Sequence, residues 1–229
     1  MRLPPATRRR LLRLARPAPP RILRPQRPRS ECWGYDRGTP VDRYFIESWL
    51  ERHREDVRGR VLEVKDDGYT TRFGGDRVSR VDVLDIDPAN EHATITADLA
   101  HADVIPDAMF DCVLLTQTLQ LVYDVSSAIS HVRRVLAPGG VALVTVPSVS
   151  PVVLENRPSV DYWRFTRASC ERLFEDCFGA GNVDVTEFGN LVACTSFLAG
   201  LASEELTAAE LEAFDERFPL LIAVRAVTE

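Results

Sequence analysis

The chain has 229 residues, of which 45% are hydrophobic and 27% charged, which is typical of a globular protein with one α/β domain or two small ones. Its apolar runs are shorter than the ~18–20 residues that a membrane-spanning helix needs, so a membrane-embedded class is excluded. Five cysteines without CxxC spacing argue against a disulfide framework and a structural metal, and favour a cytoplasmic protein.

Charge divides the chain into two unequal parts. Residues 1–30 contain ten of the 28 basic residues, seven of the 15 prolines and no acidic residue, so we expect a disordered tail. A solvated linker, a transit peptide and a basic docking tail all fit that composition. Residues 31–229 form one predicted domain with 18 basic and 34 acidic residues. This excess of negative charge disfavours nucleic acid as a partner of the folded part.

The first predicted element is a helix that begins at Pro40. Its apolar residues recur at intervals of three and four and form one buried face: Val41, Tyr44, Phe45, Trp49 and Leu50. Thr39 is the expected N-cap, followed by proline at the first helical position. Just before this helix, Arg37 is placed to clamp a carboxylate or phosphate of a ligand. An ion-paired helix cap is the alternative for Arg37.

From Gly59 onward, short apolar runs alternate with helical or loop segments. The runs are residues 61–64, 81–86, 93–97, 112–115, 141–146, 191–195 and 220–227. Continuous runs of this composition are typical of strands buried on both faces. The sequence therefore predicts an α/β fold with a doubly wound, mostly parallel sheet. Ligands of such sheets bind beyond the carboxyl ends of the strands, so functional residues are expected directly after each run.

Acidic residues lie at the ends of the first three runs. Glu63 lies in the first, Asp85 ends the second and Asp98 follows the third. A carboxylate at the position of Asp85 can accept both hydroxyls of a nucleoside ribose, and one at Asp98 can accept an adenine amino group. Each acid alone is also common where a strand gives way to a turn. Together they favour a nucleoside site.

Two later motifs are more specific. They read FDCV at residues 110–113 and RVLAPGG at residues 134–140. On these motifs the chain resembles the class I S-adenosylmethionine-dependent methyltransferases, in particular the type 11 group, over residues 59–150. The resemblance implies a Rossmann-like, seven-stranded sheet and S-adenosylmethionine as the cofactor. The Pro-Gly-Gly turn itself has a local explanation, because proline ends a helix and glycine supplies a positive φ.

The resemblance also implies site residues. Glu63 matches the acid that orients the amino end of the cofactor's methionine, Asp85 the ribose acid, and Ile86 the apolar neighbour of adenine. The adenine-edge pair and the two residues beside the path of the methyl group complete the expected cofactor contacts: Asp98, Leu99, Thr116 and Gln117. Together with Arg37, the expected acceptor-binding residues are Tyr123, Asp161, Tyr162 and Arg164.

The first loop departs from the family pattern. Where the family has glycines at alternate positions, this chain has Lys65, Asp67 and Tyr69. In one interpretation, Lys65 offers its ammonium group to the carboxylate of the cofactor. In the other, the cofactor site is degraded and the fold serves as a partner-binding module. Binding of an NAD-type nucleotide is disfavoured, because the glycine fingerprint of such sites is missing.

The sequence therefore predicts methyl transfer from S-adenosylmethionine to a small-molecule or saccharide-type acceptor, at oxygen. Aromatic side chains next to an arginine in residues 161–165 suit a sugar or another polar ring. The alternative is a catalytically silent methyltransferase-fold domain that acts as a regulatory or assembly partner. No general base and no oligomeric state follow from the sequence.

Overall fold

The computed structural model describes residues 7, 26–153 and 160–229. Most of the predicted tail, residues 1–30, therefore lies outside the described residues. The strands are β1 (Gly59–Val64), β2 (Val78–Asp85), β3 (Ile95–Thr96), β4 (Phe110–Thr116), β5 (Leu136–Pro147), β6 (Val183–Phe188) and β7 (Leu221–Val227). The helices are α1 (Val41–Arg52), α2 (Val125–Val135), α3 (Arg167–Phe178), α4 (Leu191–Leu198) and α5 (Ala208–Glu212). None of these described helices is long and apolar enough to cross a membrane.

The seven strands form one sheet in the order β3-β2-β1-β4-β5-β7-β6. Strands β1 to β5 are parallel to one another, and β7 runs antiparallel to both β5 and β6. The predicted doubly wound, mostly parallel sheet is confirmed. Chain order changes direction between β1 and β4, which opens a crevice at the carboxyl ends of these strands.

Both faces of the sheet are buried. On β1, Val61 packs with the core on the α1 side, and Leu62 packs with the core on the α2 and α3 side. On β4, Cys112 and Val113 divide between the two cores in the same way. Burial of alternate side chains in two separate cores explains why the strand sequences are apolar at consecutive positions.

The Pro-Gly-Gly segment lies inside β5, where the pairing with β4 changes register. Gly139 has a φ of 74°. A side chain on Gly140 would place its Cβ 2.8 Å from the carbonyl oxygen of Ala137. Glycine is required here by backbone conformation and close approach, so this motif is a structural feature of the sheet.

Two local predictions were wrong. Residues 191–195, predicted as a strand, belong to helix α4, whose N-terminus is capped by the Asn190 side chain as it accepts the backbone N–H of Ala193 at 3.0 Å. Thr39 is not the N-cap of α1, because Pro40 occupies that position. The Thr39 hydroxyl instead donates to a carboxylate oxygen of Glu204 at 2.8 Å.

Candidate functional site

A cavity of about 960 Å³ opens at the carboxyl ends of β1, β2 and β4. Its size is that of a small-molecule site. Its lining comes from the head segment (residues 30–43), the loop after β1, the ends of β2 to β4 with residues 117–124, Phe197 of α4, and residues 150–153 and 160–162. All the predicted cofactor residues line the cavity: Glu63, Lys65, Asp85, Ile86, Asp98, Leu99, Thr116 and Gln117.

Glu63 lies at the end of β1 and is 3% exposed. Its two carboxylate oxygens accept the backbone N–H groups of Tyr69 at 3.1 Å and Thr70 at 2.7 Å. Burial raises the pKa of the Glu63 carboxyl to about 7, although these hydrogen bonds oppose the shift. The carboxylate therefore holds the loop after β1 in place.

Lys65 occupies the first position at which the family pattern has glycine, and its φ is 79°. The backbone keeps this left-handed conformation through hydrogen bonds on both sides. The N–H of Lys65 donates to the Leu84 carbonyl at 2.9 Å, and its carbonyl accepts from Asn90 Nδ2 at 2.7 Å. A non-glycine residue in this conformation is strained, and such strain is common at functional sites.

Asp85 and Ile86 stand side by side at the end of β2. One oxygen of Asp85 accepts from Asn90 Nδ2 at 2.6 Å, and the other accepts the N–H of Asp87 at 3.0 Å. Ile86 is 48% exposed in the cavity wall. An oriented carboxylate beside an exposed apolar side chain is complementary to the ribose and the base of a nucleoside.

Asp98 and Leu99 follow β3. One oxygen of Asp98 accepts the N–H of Ala100 at 2.9 Å, and the other lies 3.2 Å from His101 Nδ1. Leu99 is 7% exposed and belongs to the core beneath the cavity. Asp98 is therefore on the cavity wall but already engaged with its neighbours. In the described part of the chain, no group of three or more His, Cys, Asp or Glu side chains is arranged to hold a metal ion.

Polar groups without partners lie just beyond β4. Gln117 has a φ of 50°, and its N–H donates to the Thr145 carbonyl at 2.8 Å. Gln120 is 6% exposed, and its Nε2 donates to the Gln117 carbonyl at 2.8 Å. Gln117 Nε2 and Gln120 Oε1 are buried and have no hydrogen-bond partner within the described chain. Both residues line the cavity, so a bound ligand can supply the missing partners.

An exposed aromatic cluster stands beside these glutamines. Tyr123 and Tyr162 both line the cavity, and their ring centroids are 5.3 Å apart in an edge-on arrangement. Trp163 packs against Tyr123 and donates from Nε1 to the Val122 carbonyl at 3.1 Å. The Gln120 carbonyl accepts the N–H of Tyr162 at 2.8 Å, which ties the cluster to the glutamine pair.

Three predicted acceptor residues lie outside the cavity lining. Asp161 and Arg164 form a bidentate ion pair that also binds the backbone of residues 150–153. Arg37 is paired with Glu205 through both Nε and Nη2. Arg37 is therefore ion-paired with a distant carboxylate and does not cap α1, and Asp161 and Arg164 shape the loop that carries Tyr162.

The head segment adds cavity residues that the sequence analysis did not assign. Asp42 and Arg43, in the first turn of α1, line the cavity together with Tyr35 and Tyr69. Burial raises the pKa of Asp42. Burial alone would lower the pKa of Arg43, but the negative charge of Asp42 and the two phenols raise it, so the guanidinium stays charged. The sequence signal for these residues was that the pair Asp42-Arg43 repeats the pair Asp36-Arg37 six residues later.

The matched family is a methyltransferase domain, over residues 67–144. A SAM-dependent methyltransferase from Archaeoglobus fulgidus is similar in structure, with 13% identity over 81% of this chain and 94% of that chain and a TM-score of 0.54. An S-adenosylmethionine-dependent methyltransferase from Mesorhizobium loti has 17% identity, coverage of 82% and 97%, and a TM-score of 0.52. The [4+2]-cyclase SpnF has 17% identity, coverage of 84% for both chains, and a TM-score of 0.52. No curated protein matches the sequence.

Proposed function

We propose that this chain methylates a small-molecule or saccharide-type acceptor at oxygen. Its residues 67–144 match the methyltransferase domain family model, and its fold is that of the class I S-adenosylmethionine-dependent methyltransferases. The observation that carries the proposal is the cavity at the change of strand order, with Asp85 and Ile86 on its wall. When bound, S-adenosylmethionine supplies an electrophilic methyl group on a sulfonium sulfur. On transfer, the bond between the methyl carbon and sulfur would be exchanged for a bond to the acceptor oxygen, S-adenosylhomocysteine would be the leaving group, and the hydroxyl proton would pass to water.

The residues present fit the cofactor. The cavity of about 960 Å³ coexists with the side chains of Lys65 and Tyr69, so the glycine-poor loop leaves room for a nucleoside. Asp85 holds the ribose hydroxyls and Ile86 covers the adenine ring. Glu63 holds the loop beneath the cofactor through the two backbone N–H groups that its carboxylate accepts.

The acceptor end of the cavity supports a hydroxyl-bearing ring. Gln117 Nε2 is a donor and Gln120 Oε1 an acceptor, and a hydroxyl group satisfies both kinds of partner. Tyr123 and Tyr162 provide ring surfaces on which a sugar or another polar ring packs. Buried amides and aromatic surfaces hold the acceptor in line with the methyl group, and positioning of this kind supplies a large part of the acceleration.

The silent domain is the second candidate. Residues with side chains replace glycines in the first loop, and the cyclase SpnF has a similar fold, so the fold alone does not specify methyl transfer. A silent domain would have no need to bind the cofactor. Cofactor affinity therefore separates the two candidates.

Isothermal titration calorimetry with S-adenosylhomocysteine tests the proposal. We expect a dissociation constant in the micromolar range, and the Asp85→Ala substitution should weaken binding about tenfold or more because a charge-assisted hydrogen bond is lost. Asp103→Ala is the matched control, since Asp103 is exposed and outside the cavity lining. Absence of binding at millimolar ligand would favour the silent domain.

We also propose a cytoplasmic location and no nucleic-acid partner for the folded part. All five cysteines are free thiols, which suits a reducing compartment. The acidic domain would repel a phosphate backbone.

A further inference from the structure

We infer that Asp42 and Arg43, at the start of α1, bind the amino-acid end of the cofactor. Asp42 accepts hydrogen bonds from its ammonium group, and Arg43 donates hydrogen bonds to its carboxylate. This inference rests on the proposed function. The amino-acid end carries an ammonium group and a carboxylate on the same carbon. A carboxylate next to a guanidinium is complementary to these two groups.

Arg43 has the free donors that this role needs. Its Nε donates to the Tyr35 hydroxyl at 2.9 Å and its Nη1 to the Tyr69 hydroxyl at 3.4 Å, whereas no described hydrogen bond uses Nη2. Among the described residues, no carboxylate lies within ion-pair distance of this guanidinium. Arg72, the other arginine in the cavity lining, is already paired with Glu47 at 2.8 Å.

Asp42 has an equally unsatisfied carboxylate. Its Oδ1 accepts the backbone N–H of Arg43 at 2.8 Å, and its Oδ2 has no hydrogen-bond partner in the described chain. The first Asp-Arg pair of the head segment differs in both respects. Asp36 accepts the hydroxyl of Ser30, and Arg37 is paired with Glu205. The second pair is therefore the one with capacity for a ligand.

The position of the pair agrees with this role. Tyr69 links the two sides of the cavity, because its N–H donates to Glu63 and its hydroxyl accepts from Arg43. Arg43 thus stands across from the loop after β1. Glu63, at the base of that loop, has both oxygens bound to backbone N–H groups. Asp42 adjoins Arg43 in the first turn of α1 and has an oxygen without a partner in the described chain, so it is the carboxylate placed to bind the ammonium group beside Arg43.

Two ligands that differ only at the amino-acid end test the inference. S-adenosylhomocysteine carries that end, and 5′-deoxy-5′-methylthioadenosine carries the nucleoside and the sulfur without it. Arg43→Met and Asp42→Asn should each weaken the affinity for S-adenosylhomocysteine about tenfold or more, because each removes a hydrogen bond to a charged group. Affinity for methylthioadenosine should stay unchanged. Arg37→Met is the matched control and should change neither affinity.

The possible results are distinct. If a variant binds both ligands more weakly to the same extent, the substitution has changed the structure of the cavity. If its affinity for S-adenosylhomocysteine is unchanged, Asp42 and Arg43 do not bind the amino-acid end. Either result overturns the inference. If the unsubstituted protein binds methylthioadenosine and the variants lose nothing, the proposed function stands and this inference alone is wrong. If it binds neither ligand, the proposed function fails and the inference fails with it. Thermal unfolding of each variant verifies that it is folded.

Discussion

At the scale of single residues, Glu63 combines a structural contact with a raised pKa. Its carboxylate is almost fully buried, and burial raises its pKa to about 7 from an ordinary value of 4.5. The folded protein therefore binds this proton more tightly than the unfolded chain does. The stabilisation that comes from this proton is fully present below about pH 4.5 and is lost as the pH rises to about 7. The free energy of unfolding therefore falls across this window.

Replacing Glu63 with glutamine should remove this pH dependence. Glutamine cannot ionise, and its oxygen can still accept one of the two backbone N–H groups. Between about pH 4.5 and about pH 7, the unsubstituted protein should lose up to about 3 kcal/mol relative to Glu63→Gln. Urea unfolding of both proteins across this range measures the difference. Parallel stability curves would contradict the assignment.

The limits of sequence prediction at this scale are visible in the two Asp-Arg pairs. Locally, Arg37 and Arg43 have similar surroundings, and the sequence offered Arg37 as a clamp or as part of an ion-paired cap. Arg37 is instead paired with Glu205, 168 residues away, and no local pattern predicts such a contact. Lys65 is a different case. The family pattern marked it as a departure, but the left-handed backbone that it shares with glycine emerged only from the structure.

At the scale of elements, strands buried on both faces were predictable, and the edge strand β6 was not. Strand β6 carries alternating side chains, as expected for a strand at the sheet edge, so it offered no continuous apolar run. Helix α4 did offer such a run and was predicted as a strand. A run of this length does not distinguish a buried strand from a buried helix. The residue that distinguishes the two is Asn190, directly before the run, because it caps the helix.

Asn190 should contribute more stability than an ordinary helix cap. Besides capping α4, its Nδ2 donates to the carbonyls of Glu210 at 2.8 Å and Ala213 at 2.6 Å, and the residue is 7% exposed. Asn190→Ala leaves these buried groups without partners and should cost about 2–4 kcal/mol. Thr166→Ala, at the exposed cap of α3, is the control and should cost about 1 kcal/mol. Equal losses in urea unfolding would show that the additional bonds contribute nothing.

At the scale of the whole molecule, the head segment connects the cavity to the C-terminal end of α4. Arg29 donates its N–H to the Ala199 carbonyl at 2.6 Å, beyond α4. Ser30 is 5% exposed, and its hydroxyl oxygen accepts the N–H groups of Cys32 and Gly34, both at 3.0 Å. Gly200 allows this close approach, because a Cβ there would lie 2.5 Å from the Ser30 carbonyl oxygen. The head segment is thus anchored at residues 29–30, before its chain reaches the cavity.

Two deletions should therefore differ sharply. Removing residues 1–25 eliminates none of these contacts, so the melting temperature and the affinity for S-adenosylhomocysteine should be retained. Removing residues 1–30 eliminates the anchor and should cost about 2 kcal/mol, or about 4–8 °C in melting temperature. Affinity should fall as well, because Tyr35, Asp42 and Arg43 reach the cavity through the anchored segment.

Ser30→Ala in the chain lacking residues 1–25 separates the contributions of the two anchoring residues. It removes the hydrogen bonds of the Ser30 hydroxyl and keeps the backbone hydrogen bond of Arg29. If both deletions behave alike, the head segment does not depend on residues 29–30, and its position over the cavity must be fixed by α1 alone.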